Sequence, residues 1–261
     1  MEEDQVVARL RAAGCVFAEE EARLLTEAAR TPADLEAMVG QREKGLPLEQ
    51  VVGWADFCGL RIFVDPGVFV PRRRSEFLVA TAVSLASGAS PVIVDLCCGT
   101  GALGLAVAAR LAAAGRAAGL HAADIDPAAG GCARRNVEPA GGRVYQGDLF
   151  APLPAELRGR VTVLICNAPY VPTGDIALLP AEARDYEPRT ALDGGSDGLA
   201  VLRRAAAEAP RWLAPGGVLL VETSDPQAPL MTRVMTAAGL TGRVHRCAEY
   251  ESTVVTGTAP G

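Results

Sequence analysis

Asn167-Ala168-Pro169-Tyr170 is the stretch of this chain best suited to chemistry. It follows Val161-Thr-Val-Leu-Ile-Cys166, an apolar run without alternation, which predicts a strand covered on both faces. An asparagine at the C-terminal end of such a strand sits at the edge where open α/β sheets bind ligands. Pro169 biases Ala168 towards an extended backbone and so gives its carbonyl a fairly fixed direction. The asparagine side-chain oxygen and one or two main-chain carbonyls then form an uncharged group of acceptors. Such a group suits a planar NH2, either an amide or the exocyclic amine of a base, with Tyr170 free to stack on its plane. A strand that merely ends in an Asx-Pro turn would carry the same residues, so the rest of the chain must decide.

Three acidic strand ends add to this. Val92-Ile-Val-Asp95-Leu96 reads as a buried strand, Cys97-Cys98-Gly99-Thr100-Gly101 as a tight loop, and Ala102 to Ala114 as a helix. Gly99 to Gly104 matches the GxGxxG dinucleotide fingerprint, a weak signal in a chain with 28 glycines. Asp95 is expected to place a carboxylate under the loop, where a cationic amino-acid moiety fits and a pyrophosphate is repelled, which speaks against a nicotinamide dehydrogenase. Asp124 closes the next strand, where a carboxylate accepts ribose hydroxyls, and Asp126 is expected to cap the following helix. A third strand from Arg143 leads to Asp148-Leu149-Phe150. There Asp148 could accept from the exocyclic amine of adenine while Leu149 or Phe150 packs on the ring.

The elements that must position these residues follow from periodicity. Apolar residues at helical spacing (Val6, Val7, Leu10; Ala22, Leu25, Ala28; Leu35, Met38, Val39) predict a small helical domain over 1–50, with Thr31-Pro32 as a helix start. Residues 51–75 read as a linker with a hairpin turning at Cys58-Gly59. Glu76 to Ala86 reads as a helix whose first turn Ser75 would cap. From 76 to 261 strands alternate with helices. Pro172 to Pro188 forms a long loop of the kind that is usually functional, and Asp197 to Trp212 reads as a helix. Pro215-Gly-Gly is a turn before the strand Val218 to Glu222. Pro226 to Ala238 is a helix, and Thr241 to Arg246 with Ser252 to Thr256 close the chain as a hairpin.

Composition bounds the function classes. The net charge of −6 argues against holding duplex DNA mainly through phosphates. Nearly all of that excess lies in residues 1–50, with six basic against eleven acidic residues, read as a solvated face or as a surface for a basic protein partner. Seven cysteines without framework spacing and two histidines predict neither a disulfide framework nor a metal site. No leading signal segment is read, nor an apolar run of the ~18 residues that a membrane span needs, so a cytoplasmic location is expected.

Taken jointly, Asp95 with the glycine loop, the acidic strand ends and Asn167 to Tyr170 resemble a class I S-adenosylmethionine-dependent methyltransferase. More narrowly, the chain resembles the HemK/PrmC family of protein-(glutamine-N5) methyltransferases. Leu48 to Glu76 is similar to that family's linker hairpin and its Ile-Pro-Arg-Pro-x-Thr-Glu segment. Glu187-Pro188 to Gly198 is similar to the loop after its catalytic motif, and Pro215 to Glu222 with Gln227 to its late strand. The resemblance implies an α/β, Rossmann-like seven-stranded domain over 76–261, joined by the 51–75 hairpin linker to the 1–50 substrate-recognition domain. It implies S-adenosylmethionine as cofactor, with S-adenosylhomocysteine as product, lined by Cys97, Cys98, Gly99, Thr100, Gly101, Asp124, Leu149 and Asn167. Asn167, Ala168, Pro169 and Tyr170 would hold a glutamine amide of a protein substrate, such as the Gly-Gly-Gln loop of a peptide-chain release factor, with the enzyme acting as a monomer.

The chain departs from the family pattern at Ala168, where proline is usual, at Cys97-Cys98, at Arg73 to Ser75 and at Thr223-Ser224. These departures admit a divergent paralogue acting on a different glutamine-bearing protein. Methylation of a nucleobase amine shares the chemistry but requires a basic face and a base-flipping module, and the acidic N-terminal region offers neither. A binding module that keeps the cofactor without turnover is the remaining alternative.

Overall fold

The structure, a computed structural model, describes residues 2–261. It opens with helices α1 (Glu3–Ala12), α2 (Ala18–Ala28), α3 (Pro32–Glu43) and the short α4 (Leu48–Val52). Their apolar stripes meet in a cluster of their own, built from Val6, Leu10, Ala22, Leu25, Leu35 and Val39. Thr31 starts α3 as its sequence predicts, accepting from the Asp34 N–H at 3.1 Å, with Pro32 in the first turn. The hairpin β1 (Trp54–Phe57) and β2 (Leu60–Phe63) follows. Its two-residue turn holds both Cys58 and Gly59 at positive φ (54° and 76°), the turn form that matches strand twist.

The remainder alternates strands and helices: α5 (Glu76–Leu85), β3 (Val92–Leu96), α6 (Ala102–Ala113), β4 (Gly119–Asp124), α7 (Pro127–Val137), β5 (Arg143–Gln146) and β6 (Val161–Cys166). The short α8 (Ala181–Tyr186) and α9 (Arg189–Leu192) come next. Then follow α10 (Ala200–Glu208), β7 (Leu213–Thr223), α11 (Ala228–Ala237), β8 (Thr241–Cys247) and β9 (Ser252–Thr258). Seven strands form one sheet in the order β5-β4-β3-β6-β7-β9-β8. β3 to β7 run parallel and β9 lies antiparallel between β7 and β8.

Strand residues alternate between two cores. Val94, Leu96, Leu164, Cys166 and Val221 face α10 and α11, and Ile93, Val163, Ile165 and Leu220 face α5 and α6. Both faces are apolar because both are covered, hence the continuous hydrophobic runs. Strand order reverses about β3, whose neighbours are β4 and β6. That switch point opens a crevice beyond the strands' C-terminal ends.

Three local readings are corrected. Ser75 does not cap α5: a 3-10 turn, Arg73–Ser75, leads into the helix, and the Ser75 hydroxyl is spent elsewhere. The Pro215-Gly-Gly turn lies within β7, whose register with β6 passes from Val161↔Leu213 to Val163↔Val218 as residues loop out at Gly216 (φ +71°). The helix expected from Asp197 begins only at Ala200. Among the described residues no helix is long and apolar enough to cross a membrane.

The N-terminal helices grip the sheet domain through one buried cation. Arg42 donates from Nε and Nη2 to the two carboxylate oxygens of Glu21 (2.8 and 3.2 Å) and from Nη1 to Glu182 of α8 (2.7 Å), while Tyr186 donates to the Lys44 carbonyl. Removing one member of a buried ion pair strands the other charge. Arg42→Ala is therefore expected to lower unfolding free energy by about 3–5 kcal/mol, read by urea denaturation, and to raise hydrogen exchange in α8.

Candidate functional site

The loop after β3 is shaped by three residues at positive φ, Cys97 (53°), Gly99 (55°) and Gly101 (77°), which turn the chain back into α6. A Cβ on Gly101 would lie 2.6 Å from Val137 of α7, so only glycine admits that packing. The loop is tied to β4 by Asp124, which accepts the Gly99 N–H at 2.8 Å on one oxygen and the Asp126 N–H at 2.9 Å on the other. Each oxygen retains a lone pair for a hydroxyl. Burial raises the Asp124 pKa, against the lowering effect of these backbone bonds. Asp126 caps α7 as expected, accepting from the Ala128 N–H.

Asp95 is not where the sequence led. It is 1% exposed and absent from the cavity wall, because it lies one residue before the end of β3 and its side chain points under α6. There Oδ2 accepts the Gly104 N–H at 2.8 Å, a donor of the helix's first turn, and Oδ1 has no partner. Burial pushes its pKa up to about 7. Its position suits bracing the loop and helix from beneath, not meeting a ligand.

Beside the loop, the register Leu96↔Cys166 brings Asn167 next to Cys97. The Asn167 carboxamide and both main-chain groups of Ala168 have no hydrogen-bond partner among the described residues, yet their neighbours are firmly held. Val171 donates to the Leu192 carbonyl at 3.1 Å and accepts from Gly194 at 2.9 Å. Gln227 donates from Nε2 to the Tyr170 carbonyl at 2.8 Å. Gly194 and Gly198 press so closely that a Cβ would sit 2.6 Å from the Pro169 oxygen and 2.2 Å from the Tyr170 oxygen. The segment resembling a post-catalytic loop is thus a cradle for the backbone of 168–171.

Gly99, Thr100, Asp124, Asn167 and Tyr170, with Phe69 from the 68–75 arm, line a cavity of about 480 Å³. A hollow of about 120 Å³ shares its Cys97 and Asp124 walls and continues past Asp148 and Leu149. Cys97, Cys98, Gly99, Thr100, Asp124, Asn167, Ala168, Pro169 and Tyr170 all line the larger space. Gly101 stands behind it. Asp148 reaches the hollow but is paired with Arg204, and Phe150 is absent from it, stacking on Trp212 with ring centroids 5.3 Å apart. Cys97 and Cys98 are free thiols. A hydrogen bond with the Cys166 thiol and burial raise the Cys97 pKa, which favours the thiol over the thiolate.

Sequence reasoning passed over Ile125, 62% exposed on the wall of both spaces; an isoleucine between two aspartates just past a strand was its signal. It met Glu222 and Glu187 only as members of the family-like segments and gave neither a role: Glu222 is a buried carboxylate behind Tyr170, and Glu187 joins Arg72 (2.6 Å) and the Val70 N–H. Their local pattern marks the segments but not these partners, which are far off in the chain.

Comparison with known proteins agrees with this geometry. A family model described as methyltransferase small domain matches residues 59–180. The chain is 39% identical over 204 residues to a release factor glutamine methyltransferase of Geobacter sulfurreducens, covering 77% of this chain and 69% of that one. It is 43% identical over 194 residues to a release factor glutamine methyltransferase of Mycolicibacterium smegmatis, covering 74% and 67%. Among solved structures, a methyltransferase from Pyrococcus furiosus superposes with a TM-score of 0.57 and 16% identity, covering 88% of this chain and 100% of that one; this likeness bears on the fold alone.

Asp95 makes stability depend on pH. Its folded pKa of about 7 lies above the unfolded value of about 3.9, so between them the folded chain binds more protons. The stability it contributes is complete below about pH 4 and is lost as pH rises through about 7. Asp95→Asn should remove that slope, changing the stability difference from wild type by on the order of 4 kcal/mol in the variant's favour between about pH 4 and pH 8. Denaturant midpoints across that range measure it.

Proposed function

Because this chain belongs to the release factor glutamine methyltransferase family, we propose that it methylates the side-chain amide nitrogen of a glutamine in a peptide-chain release factor, using S-adenosylmethionine. The observation that carries this reading is the pair of free acceptors at the end of β6, the Asn167 carboxamide oxygen and the Ala168 carbonyl, on the wall of a cavity of about 480 Å³. A cavity of that size suits a cofactor.

An amide nitrogen is a poor nucleophile because its lone pair is delocalised. In this reading one N–H donates to Asn167 Oδ1 and the other to the Ala168 carbonyl, so the nitrogen is oriented with its remaining face towards the methyl donor. Positive charge that develops on nitrogen meets fixed dipoles aimed at it. In-line placement supplies much of the remaining rate. No general base is needed, because a methylated amide cation loses its proton readily. Tyr170 offers a ring face to the amide plane.

The residues present fit the cofactor. Asp124 keeps lone pairs for ribose hydroxyls, the 97–101 loop has the tight backbone that close approach requires, and Ile125 and Leu149 give apolar surface for a flat ring. When bound, S-adenosylmethionine supplies an electrophilic methyl group on sulfonium sulfur. Residues 76–261 serve here as the cofactor-binding domain, with 1–50 as the substrate-recognition domain reached through the 51–75 linker. The negative excess in residues 1–50 suits a partner carrying basic residues.

Transfer of label from the cofactor to a release factor, against ribosomal RNA and DNA, tests the reading; label on the nucleic acid alone would overturn it. Asn167→Ala is expected to cut methyl transfer by at least about 10²-fold while calorimetric affinity for S-adenosylhomocysteine stays close to wild type. Ala168→Pro should keep activity, since the Ala168 N–H has no partner to lose and its φ is not positive. Its expected stability gain is about 0.4–1 kcal/mol, read as a rise in melting temperature.

A further inference from the structure

Glu222, near the C-terminal end of β7, has no role in the reaction as described, yet it is among the most heavily bonded groups near the cavity. Its carboxylate is 2% exposed and accepts from three side chains: the Tyr170 hydroxyl at 2.9 Å, Arg74 Nε at 3.0 Å and the Ser75 hydroxyl at 2.7 Å. Burying a carboxylate is costly unless such charge-assisted bonds fill its lone pairs. An apolar side chain of similar volume would fill the same space, often without loss of stability. What it could not do is fix a phenol.

The Tyr170 hydroxyl donates to Glu222 and accepts from Arg74, whose guanidinium lies 5.7 Å from the ring centroid. The phenol is thereby held at its tip as well as at its backbone. Burial and the Glu222 charge raise its pKa, so it stays neutral and moves no proton. Its use to the site is its position.

We propose that Glu222 is a positioning residue for methyl transfer, acting through the Tyr170 hydroxyl to hold the ring as a wall of the acceptor-amide site. This rests on the reading above, in which the amide lies against Tyr170. Arg74 and Ser75 complete the device by tying the 68–75 arm to the same carboxylate.

A double-mutant cycle on kcat tests it. Glu222→Gln and Tyr170→Phe should each lower kcat by about ten- to a hundredfold, the scale of a misplacement near 1 Å. The double variant should fall no further than the worse single one, and affinity for S-adenosylhomocysteine should not change. Losses that multiply, or a Glu222→Gln variant with wild-type kcat, would overturn the proposal. Should Glu222→Gln not fold, Glu222→Asp takes its place: it keeps the charge but shortens the reach to Tyr170, and the same non-additivity is expected. A readout free of activity comes from ring resonances of labelled Tyr170. Slow ring flipping in wild type and fast flipping in the Glu222 variant are expected, and equal rates in both would overturn the positioning role. If the wild type labels no release factor, the proposed function fails, while the flip rates still decide the role of Glu222.

Discussion

The site depends on leaving a few polar groups unpaired while the backbone on either side of them is held in place. A polar group denied its hydrogen bond in a buried setting costs about 1–3 kcal/mol, and the chain would gain by turning Asn167 or the Ala168 carbonyl towards an internal partner. The surroundings leave them none. Downstream, Val171 is bridged to Asp193 and the Tyr170 carbonyl is taken by Gln227. Gly194 and Gly198 occupy the space into which the segment would relax. Upstream, Cys166 is locked in register with Leu96. Free acceptors facing the cavity are what remains once all other options are occupied, which is the meaning of preorganisation at this site.

Topology explains why those acceptors sit beside the glycine loop. β3 and β6 are adjacent although they are separated in sequence by β4 and β5, because the sheet is wound outwards in both directions from β3. The loop after β3 and the segment after β6 therefore leave the sheet side by side at its C-terminal edge. A ligand held by one meets a ligand held by the other. The 68–75 arm closes the third side, and its Phe69, Arg72 and Arg74 reach the same cavity.

Much of this was legible in the sequence. Unbroken apolar runs marked the parallel strands, because both sheet faces are covered. Asp124 and Asn167 occupy the strand-end positions that their chemistry suggested, and Asp126 caps the next helix as its spacing predicts. The misreadings have specific causes. Asp95 stands one residue before its strand's end, and on a pleated strand that parity sends the side chain beneath the helix and away from the crevice. Ser75 looked like a cap because its local spacing is right, but Glu222, 147 positions away, takes its hydroxyl. Of the two candidates for packing on a ring, Leu149 and Phe150, Trp212 captured the second. Each error arises where a long-range partner outbids a local rule, and no spacing along the chain reveals such a partner.

Glu182, Glu187 and Glu222 show the same logic around the cavity. Each accepts from an arginine of a distant segment: Arg42, Arg72 and Arg74. Exposed pairs of this kind add little stability, and buried ones do little better against an apolar replacement. Their value lies in the penalty for separation, which is large once a carboxylate is buried. Glu187 and Glu222 are buried on their side of the pair while their arginines reach the surface, so the arm from Val68 to Ser75 cannot lift from the sheet without stranding two charges. The Arg42–Glu182 contact, half-exposed at Glu182, is the weakest of the three joints. By this measure the wall of the cavity carried by α8 is tied less firmly than the walls that carry Phe69 and Tyr170.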